Sequence, residues 1–254
     1  GNTFTLTIAG GKTLTLRSLS PNTRRSNVID TEIAYGNHFF TGGTLIVKQE
    51  DLFTTNPPTN EPYGHYRSLI KAGPSNWVDG KTVNLTFENE VIKLHGPGAW
   101  SAIDARNNTN VVFKNELTID MDRSQSLSKP GDSRFYGLFS DKGARVQFNG
   151  PTEVKLVRGK NDQHATALSW DNGAYGGAEG KLNIIMDGGA PTNKGELVGI
   201  SANGGTLPTG MPTDKDHELH LKEVEININA PKKLSTATGI EVDRQLTVEG
   251  PVIV

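Results

Sequence analysis

A short phrase recurs along this chain: an alternating apolar stretch, a bend at Asn or Gly, and a second alternating apolar stretch. A strand–turn–strand unit of this kind cannot bury its apolar face alone, so successive copies must stack on one another. The repeat therefore predicts an all-β solenoid. Its copies occupy residues 85–94, 111–119, 146–156, 219–228 and 246–254, with a weaker one at 4–16.

A second phrase precedes several copies of the first. It is a short apolar strand that runs into a polar turn, and it lies ten residues before the Phe of the next phrase in two copies, from Ile103 to Phe113 and from Leu138 to Phe148. Equal spacing is expected when each strand sits above its counterpart in the previous coil. Three short strands per coil predict a three-sided parallel β-helix that spans 1–254 as a single domain.

The alternation also predicts which side chains face inward. Phe87, Phe113 and Phe148 occupy equivalent positions, so we expect them to stack in register from one coil to the next. Trp170 follows Ala-Leu-Ser in a repeated strand, and we expect it to pack in the core or at the flank of that strand. The core predicted in this way is thin and elongated.

The bend between the two halves of the phrase carries a second pattern. Asn89 and Asn115 stand at equivalent bends, where their amides are expected to bond to corner backbone of neighbouring coils. Gly150 and Gly250 stand at the same bend, and we expect them to serve it by adopting positive φ. These residues are assigned to the corners and to no chemistry.

Polar insertions interrupt the repeat after the third strand of several coils, at 123–134, 188–196 and 206–216. The longest insertion, about 51–76, holds four prolines, which argues against a central strand and favours a loop. Within or beside it lie residue types that are enriched at binding hot spots. We predict a ligand-binding site there, or alternatively a loop that covers the flank or open end of the solenoid: Tyr63, His65, Tyr66, Arg67 and Trp77.

Charge and composition exclude several function classes. Lys and Arg total 26 against 28 Asp and Glu, a net charge of −2, which argues against nucleic acid or an anionic membrane as partner. The absence of cysteine excludes disulfides, thiolate metal sites and Cys nucleophiles. No apolar stretch approaches the roughly 20 residues of a transmembrane helix. Gly1 and the apolar end at Val254 suggest a fragment cut from a longer polypeptide.

The phrases at 101–115 and 137–150 resemble the repeats of bacterial autotransporter passenger domains, in which a Gly-Ile-like strand, an Asp/Asn-Gly turn and a Val-x-Phe-x-Gly strand follow one another. The likeness extends from about residue 85 to residue 254. It implies a right-handed parallel β-helix that a C-terminal β-barrel translocator exports to the bacterial surface. It also implies an adhesin, surface-displayed or secreted, that attaches to host cells or matrix, to other bacteria, or to itself in a biofilm.

The partner implied is a surface protein or glycan, with no cofactor, and we predict a binding protein rather than an enzyme. The alternative is a carbohydrate-active β-helix enzyme, because Asp120 and Asp122 share one face of a predicted strand, the spacing of a paired-carboxylate site. Asp104 and Arg106 leave the same alternative open. A third alternative is a structural stalk without a ligand.

Two further motifs carry no chemistry. His217 and His220 lie three apart in an acidic segment, but on the strand predicted there they point to opposite faces, so no metal site is expected. The run from Gly131 to Arg134 departs from the Gly-Asp-Ser-Gly of a serine-protease passenger at its last residue. It is interpreted as a turn.

Overall fold

The computed structural model describes residues 2–18, 27–49, 68–76, 78–125, 134–160, 162–189, 195–205, 218–230 and 236–254. Within these ranges every regular element is a strand, and no helix long and apolar enough to cross a membrane occurs among them. All pairs between strands are parallel. The strands are β1 (Asn2–Ser18), β2 (Ile29–Thr31), β3 (Gly36–Gln49), β4 (Ser68–Ala72), β5 (Val83–His95), β6 (Ser101–Arg106), β7 (Thr109–Phe113), β8 (Glu116–Asp122), β9 (Arg134–Asp141), β10 (Arg145–Phe148), β11 (Thr152–Val157), β12 (His164–Trp170), β13 (Tyr175–Asp187), β14 (Glu196–Ala202), β15 (Leu219–Asn229), β16 (Thr236–Val242), β17 (Leu246–Val248) and β18 (Val252–Ile253).

The strands form two parallel sheets that share the turns of one solenoid-like stack. The second sheet has seven strands in the order β16-β14-β12-β9-β6-β4-β2. The first sheet has eleven strands and divides into two limbs. The start of β5 pairs with β7 in the first limb, and the end of β5 pairs with β8 in the second limb. A turn such as β6-β7-β8 therefore gives one strand to the second sheet and one segment to each limb of the first. The all-β parallel architecture expected from the repeat is confirmed.

The predicted column of phenylalanine rings runs through the core. The ring centroids of Phe87 and Phe113 lie 4.7 Å apart with an interplanar angle of 2°, and those of Phe113 and Phe148 lie 5.6 Å apart at 24°. Phe40 extends the column below Phe87 at 5.1 Å. These separations match the spacing of neighbouring strands, about 4.8 Å. The predicted stacking of the three rings is confirmed, because parallel in-register pairing places each ring above the last.

Above Phe148 the column changes from large to small residues. Ala178 pairs with Phe148, and the indole of Trp170 enters from the second sheet to meet the Phe148 ring edge-on, with centroids 6.2 Å apart. Trp170 is fully buried, as predicted, and its Nε1 donates to the Val146 carbonyl at 3.4 Å. Gly176 adopts φ of 111°, and a Cβ there would lie 2.2 Å from the Val146 oxygen. The part of β13 that lies above Phe148, at the level of the indole, thus consists of small residues.

The corner between the limbs is held by the predicted amide ladder. The Asn115 Nδ2 donates to the Asn89 carbonyl at 2.9 Å, and the Asn89 Nδ2 donates to the Gly42 carbonyl at 2.9 Å. The prediction of positive φ at Gly150 and Gly250 is wrong, because neither lies in the left-handed region. Space is the constraint at Gly150 instead, since a Cβ there would lie 2.3 Å from the Asn115 carbonyl.

Buried arginines tie the ends of the second limb to the second sheet. Arg123 follows β8, and its Nε donates to the Asp162 carboxylate at 2.9 Å while its Nη1 donates to the Ala99 carbonyl at 3.1 Å. Arg158 follows β11, and it donates to the carbonyls of Gly188 and Gln163 at 3.0 and 2.7 Å. Hydrogen bonds between a charged donor and backbone carbonyls are among the stronger ones. These hydrogen bonds hold in place the segments that connect one turn of the stack to the next.

Two boundaries of the predicted insertions differ from the structure. Ser68–Ala72 forms buried strand β4 between β2 and β6, so the insertion predicted over about 51–76 does not extend across these residues. The apolar Leu69 and Ile70 form this strand in spite of the prolines nearby. The insertion at 206–216 follows β14 of the second sheet and precedes the first limb of β15, so its predicted place after a third strand is wrong.

We expect Phe113→Ala to lower the free energy of unfolding by about 3–5 kcal/mol, because it removes a fully buried ring between two others. Phe4→Ala is the matched control, since Phe4 ends the same column and is 50 % exposed. Urea unfolding followed by circular dichroism measures both. Equal losses in the two variants would contradict a column that stabilises the stack from its interior.

Candidate binding cleft on the second sheet

The residues predicted as a ligand-binding cluster lie outside the described part of the structure. Tyr63, His65, Tyr66 and Arg67 belong to the segment before β4, and Trp77 stands between β4 and β5. Their role therefore stays a prediction.

The structure describes only part of the two motifs to which no chemistry was assigned. Residues 131–133 and His217 lie outside the described ranges. His220 is exposed in β15, with its Nε2 2.9 Å from the Glu218 carboxylate. Among the described residues, no group of three or more His, Cys, Asp or Glu side chains could hold a metal ion.

Asp120 and Asp122 do share the outer face of β8, as predicted. Each carboxylate has a local partner: Asp120 lies 3.7 Å from His95 Nδ1, and Asp122 accepts a hydrogen bond from the Ser124 backbone N–H at 3.0 Å. The register also places Lys155 of β11 beside Asp120. Asp120 thus lies in a surface contact with His95, and Asp122 belongs to a turn at the end of the strand.

Asp104 and Arg106 belong to an ion network on the outer face of the second sheet. The Asp104 carboxylate accepts hydrogen bonds from Lys71 Nζ at 2.9 Å and from Arg106 Nε at 2.7 Å. Asp104 is only 3 % exposed. Burial lowers the pKa of Lys71, while the Asp104 charge acts in the opposite direction. Two cations around one buried carboxylate make this network a structural element of the face.

An aromatic cluster follows the ion network along the same face. The rings of Trp100, Tyr136 and Phe139 lie with all three pairs of centroids 5.0 Å apart, at interplanar angles of 59–63°. The Arg106 guanidinium lies 5.1 Å from the Phe139 centroid and 5.9 Å from that of Trp100. Edge-to-face contacts and a cation over the rings hold the cluster in one arrangement.

A polar cleft of about 200 Å³ opens next to this cluster. It arises because the outward residues become shorter in the turns after β9. In one outward column, the large Tyr136 of β9 is followed by the smaller Thr166 of β12 and Val198 of β14. The next outward column also changes from a large residue to small ones. That column passes from Phe139 to Ser169 and Ser201. Ser169 and Ser201 are 1 % and 6 % exposed, which makes them the floor of the cleft.

Polar side chains form the walls on both sides of this floor. The His164 Nδ1 lies 3.5 Å from the Glu196 carboxylate along one side. Along the other side, the Asn203 Nδ2 donates to the Asp171 carboxylate at 3.2 Å and to the Ser201 hydroxyl at 3.0 Å. Glu241 of β16 pairs with Ser201 and closes the far end. The cleft therefore presents hydroxyl, amide, imidazole and carboxylate groups within two neighbouring turns.

The cleft is acidic. Asp171, Glu196 and Glu241 line it together with one arginine, Arg134, and one histidine, His164. Burial raises the pKa of Asp171, a hydrogen bond from Ser169 lowers it, and the nearby charges of other carboxylates raise it further. A carboxyl group with a raised pKa inside a cleft is a common property of functional sites.

A second depression, of about 440 Å³, lies on the first sheet between β8, β11 and β13. Its charged residues Glu116, Glu153 and Lys181 are exposed, and Lys181 pairs with Glu225 of the neighbouring β15 at 3.0 Å. Exposed pairs of this kind contribute little and impose little order. We therefore take the cleft of the second sheet as the candidate site.

The cleft was not predicted from the sequence, although a signal for it exists. The aligned phrases read Leu138-Phe139, Leu168-Ser169 and Ile200-Ser201, so a large outward residue gives way to serine while the inward residue stays apolar. Comparisons with protein-family models, with curated proteins and with solved structures found no match for this chain.

We expect Asp171→Asn to raise the free energy of unfolding at pH 7.5. The folded state binds the Asp171 proton more tightly than the unfolded state does, so the stability of the natural protein falls as pH rises through the raised folded pKa. The amide removes this cost and keeps an oxygen that accepts from Asn203. The advantage should shrink as pH is lowered to the ordinary carboxyl value of 3.8.

Thermal unfolding between pH 3.5 and 8 measures the effect. Asp79→Asn serves as the control, since Asp79 lies exposed in the turn before β5 and its neutralisation should change stability little. A loss of stability in Asp171→Asn at pH 7.5 that disappears at low pH would contradict this expectation, because it would show that the carboxylate is needed in its charged form.

Proposed function

We propose that this chain is part of a surface-displayed or secreted bacterial adhesin, a passenger of the autotransporter type. The observation that supports it most is the in-register stacking of parallel turns, which creates long side faces with ordered polar side chains. One such face holds the acidic cleft next to the aromatic cluster. The partner is a host-cell, matrix or bacterial surface molecule, or a second copy of the protein.

The proposal includes a right-handed, three-sided β-helix. Connections between parallel strands of one sheet are right-handed in about 98 % of cases. Each turn supplies three segments, one in the second sheet and one in each limb of the first, with the Asn89–Asn115 corner between the limbs. Three segments with bends between them favour a triangular cross-section.

Ordered side chains on the outer faces also favour binding over a broad area. On the first limb, the Asn84 Nδ2 donates to the Asn37 Oδ1 at 2.9 Å, and the Arg145 Nη1 donates to the Asn110 Oδ1 at 2.9 Å. Side chains held by such bonds lose less freedom when a partner docks. Weak contacts along a long face gain strength when many copies are displayed together.

Adhesion of beads coated with the protein to epithelial cells, matrix proteins and bacteria tests the proposal. We expect the natural protein to adhere, and replacement of residues 52–67 by an equally long Gly/Ser segment to reduce adhesion while β4 and the circular dichroism spectrum are retained. The same replacement at 206–217 is the control. Absence of adhesion to every surface would contradict the adhesin and favour the stalk, and undiminished adhesion of the 52–67 variant would remove that segment from the site.

A second candidate, a glycan-cleaving enzyme, is favoured by the raised pKa of Asp171 in a cleft that also holds Glu196 and Glu241. A general acid needs a carboxyl group that keeps its proton near the working pH. This candidate predicts release of reducing ends from a polysaccharide panel, lost in Asp171→Asn and retained in Asp79→Asn. Release that survives Asp171→Asn, or no release at all, would contradict it.

A further inference from the structure

We infer that the acidic cleft of the second sheet binds a short neutral glycan segment, an inference that rests on the proposed adhesin function and names the ligand class. The cleft lies outside the segment that the sequence suggested as a binding site. Its floor comes from β12 and β14, which are paired on both sides, and Glu241 of β16, the last described strand of the sheet, stands at its far end. A site on central strands is rigid, which favours a small ligand that is held in one pose.

The backbone around the cleft is already engaged. β12 pairs with β9 on one side and with β14 on the other, and β14 pairs in turn with β16. Parallel ladders on both sides of β12 and β14 leave only β16, the last described strand of the sheet, as an edge to which an extended peptide could add. A ligand in the cleft therefore contacts side chains.

Those side chains combine donors and acceptors at short range. Ser201 offers a hydroxyl that can donate while its oxygen accepts from Asn203, and Asn203, whose Nδ2 donates to Asp171 and Ser201, brings its amide oxygen. Asp171 and Glu241 add acceptors at the wall and the far end. Sugar hydroxyls donate and accept at once, so a mixed set of this kind suits a polyhydroxyl ligand. A cationic peptide would use only the carboxylates and would have no need of the hydroxyl and amide groups.

The lining of the cleft is mainly polar, and Val198 and Tyr136 give it a small apolar part that the C–H groups of a sugar can contact. Val198 lies in the floor, and Tyr136 of the aromatic cluster stands at the end opposite Glu241. The Tyr136 ring is fixed by its contacts with Trp100 and Phe139. The small exposed part of a ring held in place in this way contacts a ligand at low entropic cost.

Charge selects among glycans. Asp171, Glu196 and Glu241 repel the carboxylate or sulfate of an acidic sugar, whereas opposite charge comes from Arg134 in the lining and from Arg244, whose charge interacts with that of Asp171. Like charges brought together at an interface cost binding free energy. Neutral hexose and N-acetylhexosamine segments are therefore favoured over uronic, sialic or sulfated ones.

The test uses the whole chain, first on a glycan array and then by titration calorimetry with neutral oligosaccharides that bind. Thr166→Leu replaces a hydroxyl of the cleft floor with a larger apolar group, and we expect it to weaken neutral-glycan binding by about tenfold or more, a loss of roughly 1.4 kcal/mol. Thr86→Leu is the matched control, since Thr86 is half-buried on the outer face of β5. Circular dichroism and thermal unfolding check that both variants fold.

Each outcome separates this inference from the proposed function. Neutral-glycan binding that is lost in Thr166→Leu and kept in Thr86→Leu supports the cleft. No glycan binding, binding of acidic glycans alone, binding of a Lys-rich peptide in place of neutral glycans, or equal binding by both variants overturns it. If coated beads still adhere in any of those cases, the adhesin proposal stands. Cleavage of the bound neutral glycan supports the cleft and contradicts the adhesin.

Discussion

In-register stacking of parallel turns is the constraint on which the rest of this structure depends. Each apolar segment is too short to bury its own inward face, so its neighbours above and below must supply the burial. The rings of Phe40, Phe87, Phe113 and Phe148 express this directly, with each ring covering the next. Because the column fixes the register, it also fixes which outward residues become neighbours, and the cleft and the aromatic cluster follow from it.

The sequence predicted those parts of the fold that repeat. Equivalent phrases located the ring column, the Asn89–Asn115 amide ladder and the buried Trp170, because each depends on local alternation and spacing. Strand β4 escaped prediction because a short apolar stretch, with Leu69 and Ile70, lies among prolines that suggested a loop. For Gly150 the predicted positive φ was wrong, and the glycine is required because the backbone of the neighbouring turn lies too close for a Cβ. Such a close approach depends on three-dimensional distance, which the sequence does not reveal.

The cleft was missed for a related reason. Ser169 and Ser201 are unremarkable residues on their own, and they form a floor only because the register sets them beside Phe139 and below Glu241. A site assembled across turns requires knowledge of which outward positions align. The hot-spot residue types before β4 drew attention by their chemistry, whereas the cleft is defined by a change in side-chain size along a column.

The division between inward and outward positions has a consequence for how such a protein can vary. Leu138, Leu168 and Ile200 keep the interior constant while the neighbouring outward position changes from phenylalanine to serine. A single codon change at such a position can deepen or fill the surface and leave the stacked interior untouched. The outer faces of such a chain can therefore diversify one turn at a time while the stacked scaffold is kept.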